Sequence, residues 1–497
     1  MNTKQLFHME QKLVILCAAS AILAGGAEPL HGENTSAEHP PALPSSAAQQ
    51  NEMPLAPITL ASDSQELSTY INLGIQDLLM GYSTRARAYI YRAIETNKES
   101  ILAYCSLLLF EESNATDKST LLRRIEHLIN RDEISLTPPE LFYVEKFLQL
   151  SEGDIAGAAE SFRKRSQRYR ADVLSGCWAA LLYHYSDNGF TTDGHPTDYQ
   201  RKAREHVETL LLSHPSHPLV HYVKAAIEEN AESVTDDVLH SAGIAVTGID
   251  SSVAHQLLGH LLFKRKDYKN ATDSFLHATT RAEEDCIVHN IKPSDSFEYV
   301  CSKLSWLTSS LCAGSSWDSV VKEIFNDKNF IHVKQFDSRG AILYRWEYQS
   351  FVLRSLLNRP DAPTLKEIEQ AKKLALPNRG ELDDDAVNDF CEILVSALQV
   401  RLLVKDNRPD AAERALQKAQ AAYQRLIVPR ETYHQQSITY KLCFKRAIDC
   451  ADIAINISKM NLYKNTSDIW KERIQEIKLG QPHLLPPIVP NYPNRHD

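Results

Sequence analysis

The sequence predicts an all-α protein built as an array of paired helices, and three observations predict it. Between Ser64 and Leu479 apolar residues recur with the 3.6-residue period of a helix, in segments of about 12 to 20 residues separated by short polar or Gly/Pro/Asn breaks. No convincing run of alternating apolar and polar residues, the mark of a half-buried strand, interrupts them. Only 17 glycines occur in 497 residues, which leaves little material for tight hairpins, phosphate-cradling loops or sharp catalytic turns. A single hydrophobic core stops growing at roughly 250 to 300 residues, so a chain of this length is either multidomain or a repeat array.

Composition narrows the function classes. Apolar residues make up 43% and charged residues 24%, ordinary values for a water-soluble globular chain rather than a disordered or polytopic membrane one. The 54 Lys and Arg against 64 Asp and Glu give a net charge of -10, without the basic field that general nucleic-acid binding needs. No nucleic-acid partner is expected.

Taken from the N-terminus, residues 1–27 have the order of a secretory signal: Lys4 and Lys12, the apolar run Leu13 to Leu23, then Gly25, Gly26 and Ala27 at a cleavage site. The run falls short of the roughly 20 residues that span a bilayer, so no stable membrane insertion is expected. Cys17 follows Val14, Ile15 and Leu16, a poor match to a lipid-attachment site, which makes a lipid anchor the lesser reading. Export points to the periplasm or envelope of a bacterium. Residues 28–64, acidic and rich in Pro, Ser and Ala, have no sustained period and read as a disordered linker. Residues 65–479 form the helical domain, and the Pro-rich tail 480–497 carries Leu484, Leu485, Ile488 and Val489 as a segment packed on the last helix or a docking peptide.

Two segments of the helical domain share one spacing. Gly74 is followed by Ala86, Ile90 and Ala93, and Gly259 by Ala271, Phe275 and Ala278, at identical offsets. A small residue is needed where the first helix of a pair crosses the second closely, and the bulky Ile90 or Phe275 fills the groove beside it. Weaker copies put Lys146 in the Gly position before Ala158, Phe162 and Arg165, and Val400 before Ala412, Leu416 and Ala419. This spacing resembles that of the tetratricopeptide repeat (TPR) family. The resemblance implies a right-handed superhelical α-solenoid of about ten TPR-like helix-turn-helix units, at a mean spacing of about 41 residues, with helix 466–479 as its cap. It implies a scaffold or adaptor whose first helices hold another protein or peptide, with no cofactor and no chemistry. A ligand-binding envelope protein for carbohydrate or peptide, similar to the TPR-containing nutrient-uptake lipoproteins, is the alternative.

Within that frame the first helices carry Tyr70, Tyr104, Tyr143, Tyr183, Tyr222, Tyr299, Tyr344 and Tyr348, with Trp178, Trp306 and Trp346. Tyr70, Tyr104, Tyr143, Trp178, Trp306, Tyr344 and Tyr348 are the candidate partner anchors, and inter-repeat core is the competing reading. No Lys/Asn pattern that would grip a C-terminal carboxylate stands on 66–80 or 101–112.

Motifs of catalysis are missing: there is no HExxH, GxSxG, P-loop or GxGxxG, and an enzyme is not expected. Six of the 19 histidines, His184, His195, His206, His214, His217 and His221, crowd into one stretch around a long loop 186–199. His195, His214 and His217 are the candidate metal ligands, although no complete ligand motif is present, and a solvated turn with histidines at helix ends explains the cluster as well. Arg163, Lys164, Arg165, Arg168 and Arg170 form a basic helix face open to solvent or to an anionic partner. Eight cysteines remain after Cys17; most sit in apolar helical runs, without CxxC, and read as buried thiols.

Overall fold

The computed structural model describes residue 55 and residues 57–61, 64–110, 115–131, 134–186, 196–229, 231, 233–316, 319–320, 322–323, 327, 350–358, 362–375, 385–427 and 438–463. The expected signal region 1–27, most of the linker, the expected cap 466–479 and the tail 480–497 lie outside them. Among the described residues there are 18 α-helices, packed in adjacent pairs, and no strand. The chain divides into two compact units, residues 1–313 with 335–340 and residues 314–334 with 341–497.

Unit 1 contains α1 (Gln65–Met80), α2 (Ser83–Thr96), α3 (Ile101–Leu108), α4 (Ala115–Ile129), α5 (Pro138–Ser151), α6 (Ile155–Arg168), α7 (Val173–Tyr185), α8 (Asp198–Ser213), α9 (Pro218–Glu228), α10 (Asp236–Ile249), α11 (Ser252–Lys264), α12 (Tyr268–Val288) and α13 (Phe297–Cys312). Unit 2 contains α14 (Ser350–Asn358), α15 (Leu365–Ala375), α16 (Asp385–Lys405), α17 (Pro409–Ile427) and α18 (Ile438–Tyr463). No helix among the described residues is long and apolar enough to cross a membrane.

Helix starts follow from local chemistry. Ser64, Thr137, Asp154, Asp172, Thr197, Thr235, Ser251, Asp267 and Ser296 each accept a backbone N–H of the following turn, satisfying a donor that has no partner within the helix. The turns inside four hairpins are alike. Gly81, Gly153, Lys266 and Asn407, each seven residues after Gly74, Lys146, Gly259 and Val400, all adopt positive φ, at 77°, 88°, 64° and 57°. In each turn the next residue donates to the carbonyl five back: Tyr82 to Asp77, Asp154 to Gln149, Asp267 to Leu262 and Arg408 to Leu403. The positive-φ residue itself donates three back, and the two bonds together are the Schellman closure of a helix C-terminus. Gly81 and Gly153 supply the left-handed backbone at no steric cost; Lys266 and Asn407 hold it despite their side chains.

The helix crossings have the close approach that the spacing requires. A Cβ at Gly74 would lie 2.6 Å from Ile90 Cδ1, and one at Gly259 would lie 2.7 Å from Phe275 Cδ1. Ala86, Ile90, Ala93, Ala271, Phe275 and Ala278 are all fully enclosed. The departures in the third pair are compensated: Arg165 pairs with Asp172 at 2.6 Å and lies 4.6 Å from the centre of the Phe142 ring, while the Lys146 amino group donates to Gln149 Oε1 at 2.9 Å. In unit 2, Val400, Ala412, Leu416 and Ala419 are likewise buried between α16 and α17, and Arg425 of α17 reaches back to Asp389 and Glu392 of α16.

First and second helices of unit 1 differ in burial. Residues 71–80 of α1 and 173–184 of α7 are buried on every side, while α2, α6 and α8 each keep a polar face in solvent. Part of the enclosure comes from long-range closure of the unit. Tyr222 of α9 donates to Met80 O at 2.6 Å, Tyr82 donates to Asp285 Oδ2 of α12 at 2.5 Å, and the Thr84 N–H donates to Glu298 Oε1 of α13 at 3.1 Å. Arg85 holds Asp77 with two 2.7 Å bonds and faces Asp285 at 3.6 Å. Burial raises the Glu298 carboxyl above the usual carboxylate range.

Seven cysteines among the described residues are unbridged, and all but Cys312 are buried. Burial pushes the Cys105 and Cys391 thiols up to about 12, so both behave as small apolar groups.

Candidate functional site

The linker expected over 28–64 is not free along its whole length. Residues 57–61, which form neither helix nor strand and bend at 61, are gripped with Leu55 through their backbone by side chains of three first helices. Asn72 is the central grip: its Oδ1 accepts the Ile58 N–H and its Nδ2 donates to Ile58 O at 3.0 Å. One helical turn away, on the same face of α1, Gln76 Oε1 accepts the Leu55 N–H at 2.8 Å. At the start of α5, the Thr137 hydroxyl donates to Thr59 O at 2.7 Å and Glu140 Oε2 accepts the Ala61 N–H at 2.8 Å. These two residues also form the capping box of α5, so one local motif both ends the helix and holds the segment. At the start of α9, His217 Nε2 donates to Leu55 O at 3.3 Å.

From Pro57 to Ala61 the side chains alternate between solvent and core, and Leu55, three residues before Ile58, packs outside that alternation. Ile58 is 5% exposed and belongs to the core, Leu55 and Leu60 pack against that core, and Pro57, Thr59 and Ala61 face solvent. Pro57 stands at a position whose N–H is not needed. The composition of 28–64 concealed this docking because the segment forms no periodic element of its own; its partners come from helices 14 to 162 residues away. A signal was nonetheless present in α1. Asn72 and Gln76 are carboxamides inside an otherwise apolar run, at the positions that Leu257 and Leu261 occupy in the matching segment around Gly259.

Burial, more than the neighbouring His214 and His221, holds the His217 imidazole below its usual range, and the bond to Leu55 O opposes this. Its Nδ1 is buried without a hydrogen-bond partner.

The candidate anchors separate on burial. Tyr143 and Trp178, expected at a partner surface, are core: Tyr143 is fully enclosed with its hydroxyl 3.1 Å from Ser175 Oγ, and Trp178 is stacked on Phe162 at 5.9 Å between ring centres. Their α5 and α7 positions face neighbouring helices, and a helical period reveals an apolar face without revealing what covers it. Tyr183, Tyr222 and Tyr299 are buried in the same way. Tyr70, Tyr104 and Trp306 are half-buried, with Arg92, Arg124 and Lys303 over their rings. Tyr344, Trp346 and Tyr348 lie outside the described residues.

The histidine stretch does not assemble as a metal centre among the described residues. His195 lies outside them. The rings of His214 and His217 are 6.3 Å apart, but His214 Nε2 donates to Arg170 O at 3.0 Å and His217 Nε2 to Leu55 O. Those bonds leave only the Nδ1 atoms to ligate, and no group of three ligating side chains gathers there among the described residues. His221 is committed on both sides, to Pro215 O at 2.8 Å and Ser241 Oγ at 3.2 Å. His184 Nδ1 donates to Gln200 Oε1 at 2.6 Å, and burial lowers His206 to about 4. The basic run is also largely used internally: Arg163 and Lys164 meet Glu160, and Arg165 meets Asp172.

No family model, curated protein or solved structure matches the chain. The likeness to tetratricopeptide repeats therefore rests on spacing and hairpin geometry alone.

Proposed function

We propose that the chain is an exported, non-catalytic scaffold of TPR-like helical hairpins whose first helices hold an extended polypeptide segment of a partner protein. The single observation that carries this is the grip on Leu55 and residues 57–61, in which six hydrogen bonds join side chains of first helices and their caps to the backbone of a non-helical segment. Recognition of that kind suits a polypeptide ligand, because main-chain bonds give affinity while alternate side chains give specificity. The four like turns and the Gly74 and Gly259 crossings support the repeat reading. The order of residues 1–27 supports export, and a mature N-terminus at Glu28, read by mass spectrometry of the purified chain, checks it.

Peptide display tests the binding function. Selection on the full chain, in its parent and Ile58→Asp forms, is expected to enrich segments with apolar residues at the spacing of Leu55, Ile58 and Leu60, and binding is expected to vanish when Asn72 and Gln76 are both changed to Leu. No enrichment on either form, or enrichment indifferent to the double change, would sink the reading.

A further inference from the structure

We propose that residues 55–61 are a tethered occupant of the groove on α1, α5 and α9, and that a partner's extended segment enters by displacing them. This rests on the scaffold reading above and adds the partner's chemistry and a built-in competitor. The partner segment is extended, apolar at the positions of Leu55, Ile58 and Leu60, and free of proline at the positions of Leu55, Ile58 and Ala61, whose N–H groups are taken by Gln76, Asn72 and Glu140.

Three observations carry this. Every hydrogen bond to the segment is to its backbone, so another chain in the same register makes all six. Only Ile58 is fully enclosed, so the segment's own side-chain anchor is small. With the segment in place Asn72 and Gln76 are 1% and 5% exposed, and without an occupant their carbonyl oxygens lose the backbone partners seen here. In the register of the repeat, the matching residues of α11 are Leu257 and Leu261, which need none.

Tethering sets the threshold. Residue 61 is followed within four residues by the first turn of α1, so the segment stays near the groove at an effective concentration on the order of millimolar or above. A partner that merely equals it cannot displace it; the partner must add contacts beyond the six. Loosening the tethered segment therefore raises the apparent affinity for any competing peptide by the inverse of the fraction of open groove.

The test uses the full chain and a fluorescent synthetic peptide of residues 53–63. The Ile58→Asp variant is expected to bind this peptide at least about tenfold more tightly than the parent, and adding Asn72→Leu is expected to abolish the gain. Ala61→Pro, which removes the N–H that Glu140 accepts and replaces no core residue, is expected to act in the same direction more weakly, and it keeps the test valid if Ile58→Asp fails to fold. Equal affinity in parent and both variants, or no binding to any of them, overturns the tethered-competitor proposal. Displayed peptides that bind the groove and are not displaced by the 53–63 peptide overturn it too, while leaving the scaffold reading intact.

Discussion

Helices α1 and α11 are built to one plan and differ where it matters. Each carries a glycine against which a bulky residue of the following helix packs, Ile90 in one case and Phe275 in the other, and each ends in the same turn seven residues later. The positions two before and two after that glycine are buried in both. In α11 they are Leu257 and Leu261; in α1 they are Asn72 and Gln76, which meet the backbone of residues 55–61. Burial alone does not distinguish the two helices. A polar side chain held at a position the fold can fill with leucine points to a polar neighbour, and here the neighbour is a non-helical segment. The second helices differ as well: Tyr89 of α2 packs edge-on against His289, whereas Ser274, its counterpart in α12, donates to His255 O at 2.8 Å.

Exchanging the two helices' residues breaks the comparison most severely on the α11 side. Leu257→Asn would bury a carboxamide where no such segment is present to receive it, and would forfeit a leucine's burial. The expected cost is about 3 to 5 kcal/mol, read as a large fall in melting temperature. A stability equal to the parent's would show that the two positions are not equivalent.

Acid sharpens the contrast at the second helices. Burial first, then Arg92 and Arg85, lowers His289 to about 3, and neither ring nitrogen has a hydrogen-bond partner. The folded chain therefore keeps this ring neutral while the unfolded chain protonates it. Stability is fully present above the unfolded value near 6.5 and is lost as pH falls from there toward about 3. The loss is expected to reach about 2 to 3 kcal/mol by pH 4. Melting across this range, with His289→Phe as the comparison, checks it: the variant is expected to lose less stability between pH 7 and 4 than the parent.

Much of the helical plan was legible in the sequence. The 3.6-residue period marks the helices, and the recurrence of small residues at fixed offsets selected four hairpins that share one turn, including the two with Lys146 and Val400 in the glycine position. What covers each helix was not legible. Tyr143 and Trp178 carry the same periodic signal as exposed anchors would, because enclosure depends on helices that neighbour them in space. His217 looked like one of a ligand set, yet its bond goes to Leu55, 162 residues earlier. The docked segment escaped notice for the opposite reason: Pro57 and the short alternation around Ile58 resemble a linker, and only its partners make it a structural element.

The central claim, that α1 differs from α11 because it binds a backbone, is tested most directly by amide hydrogen exchange at Ile58 in the parent and in Asn72→Leu. This change gives α1 the residue that α11 carries and removes both bonds to Ile58, at an expected cost of about 1 to 3 kcal/mol. The Ile58 and Ala61 amides are expected to exchange slowly in the parent. In the variant both are expected to approach the rate of an unstructured chain, while the amides of α11 keep their protection. Unchanged protection of Ile58 in Asn72→Leu, or an Ile58 amide already unprotected in the parent, would contradict the claim.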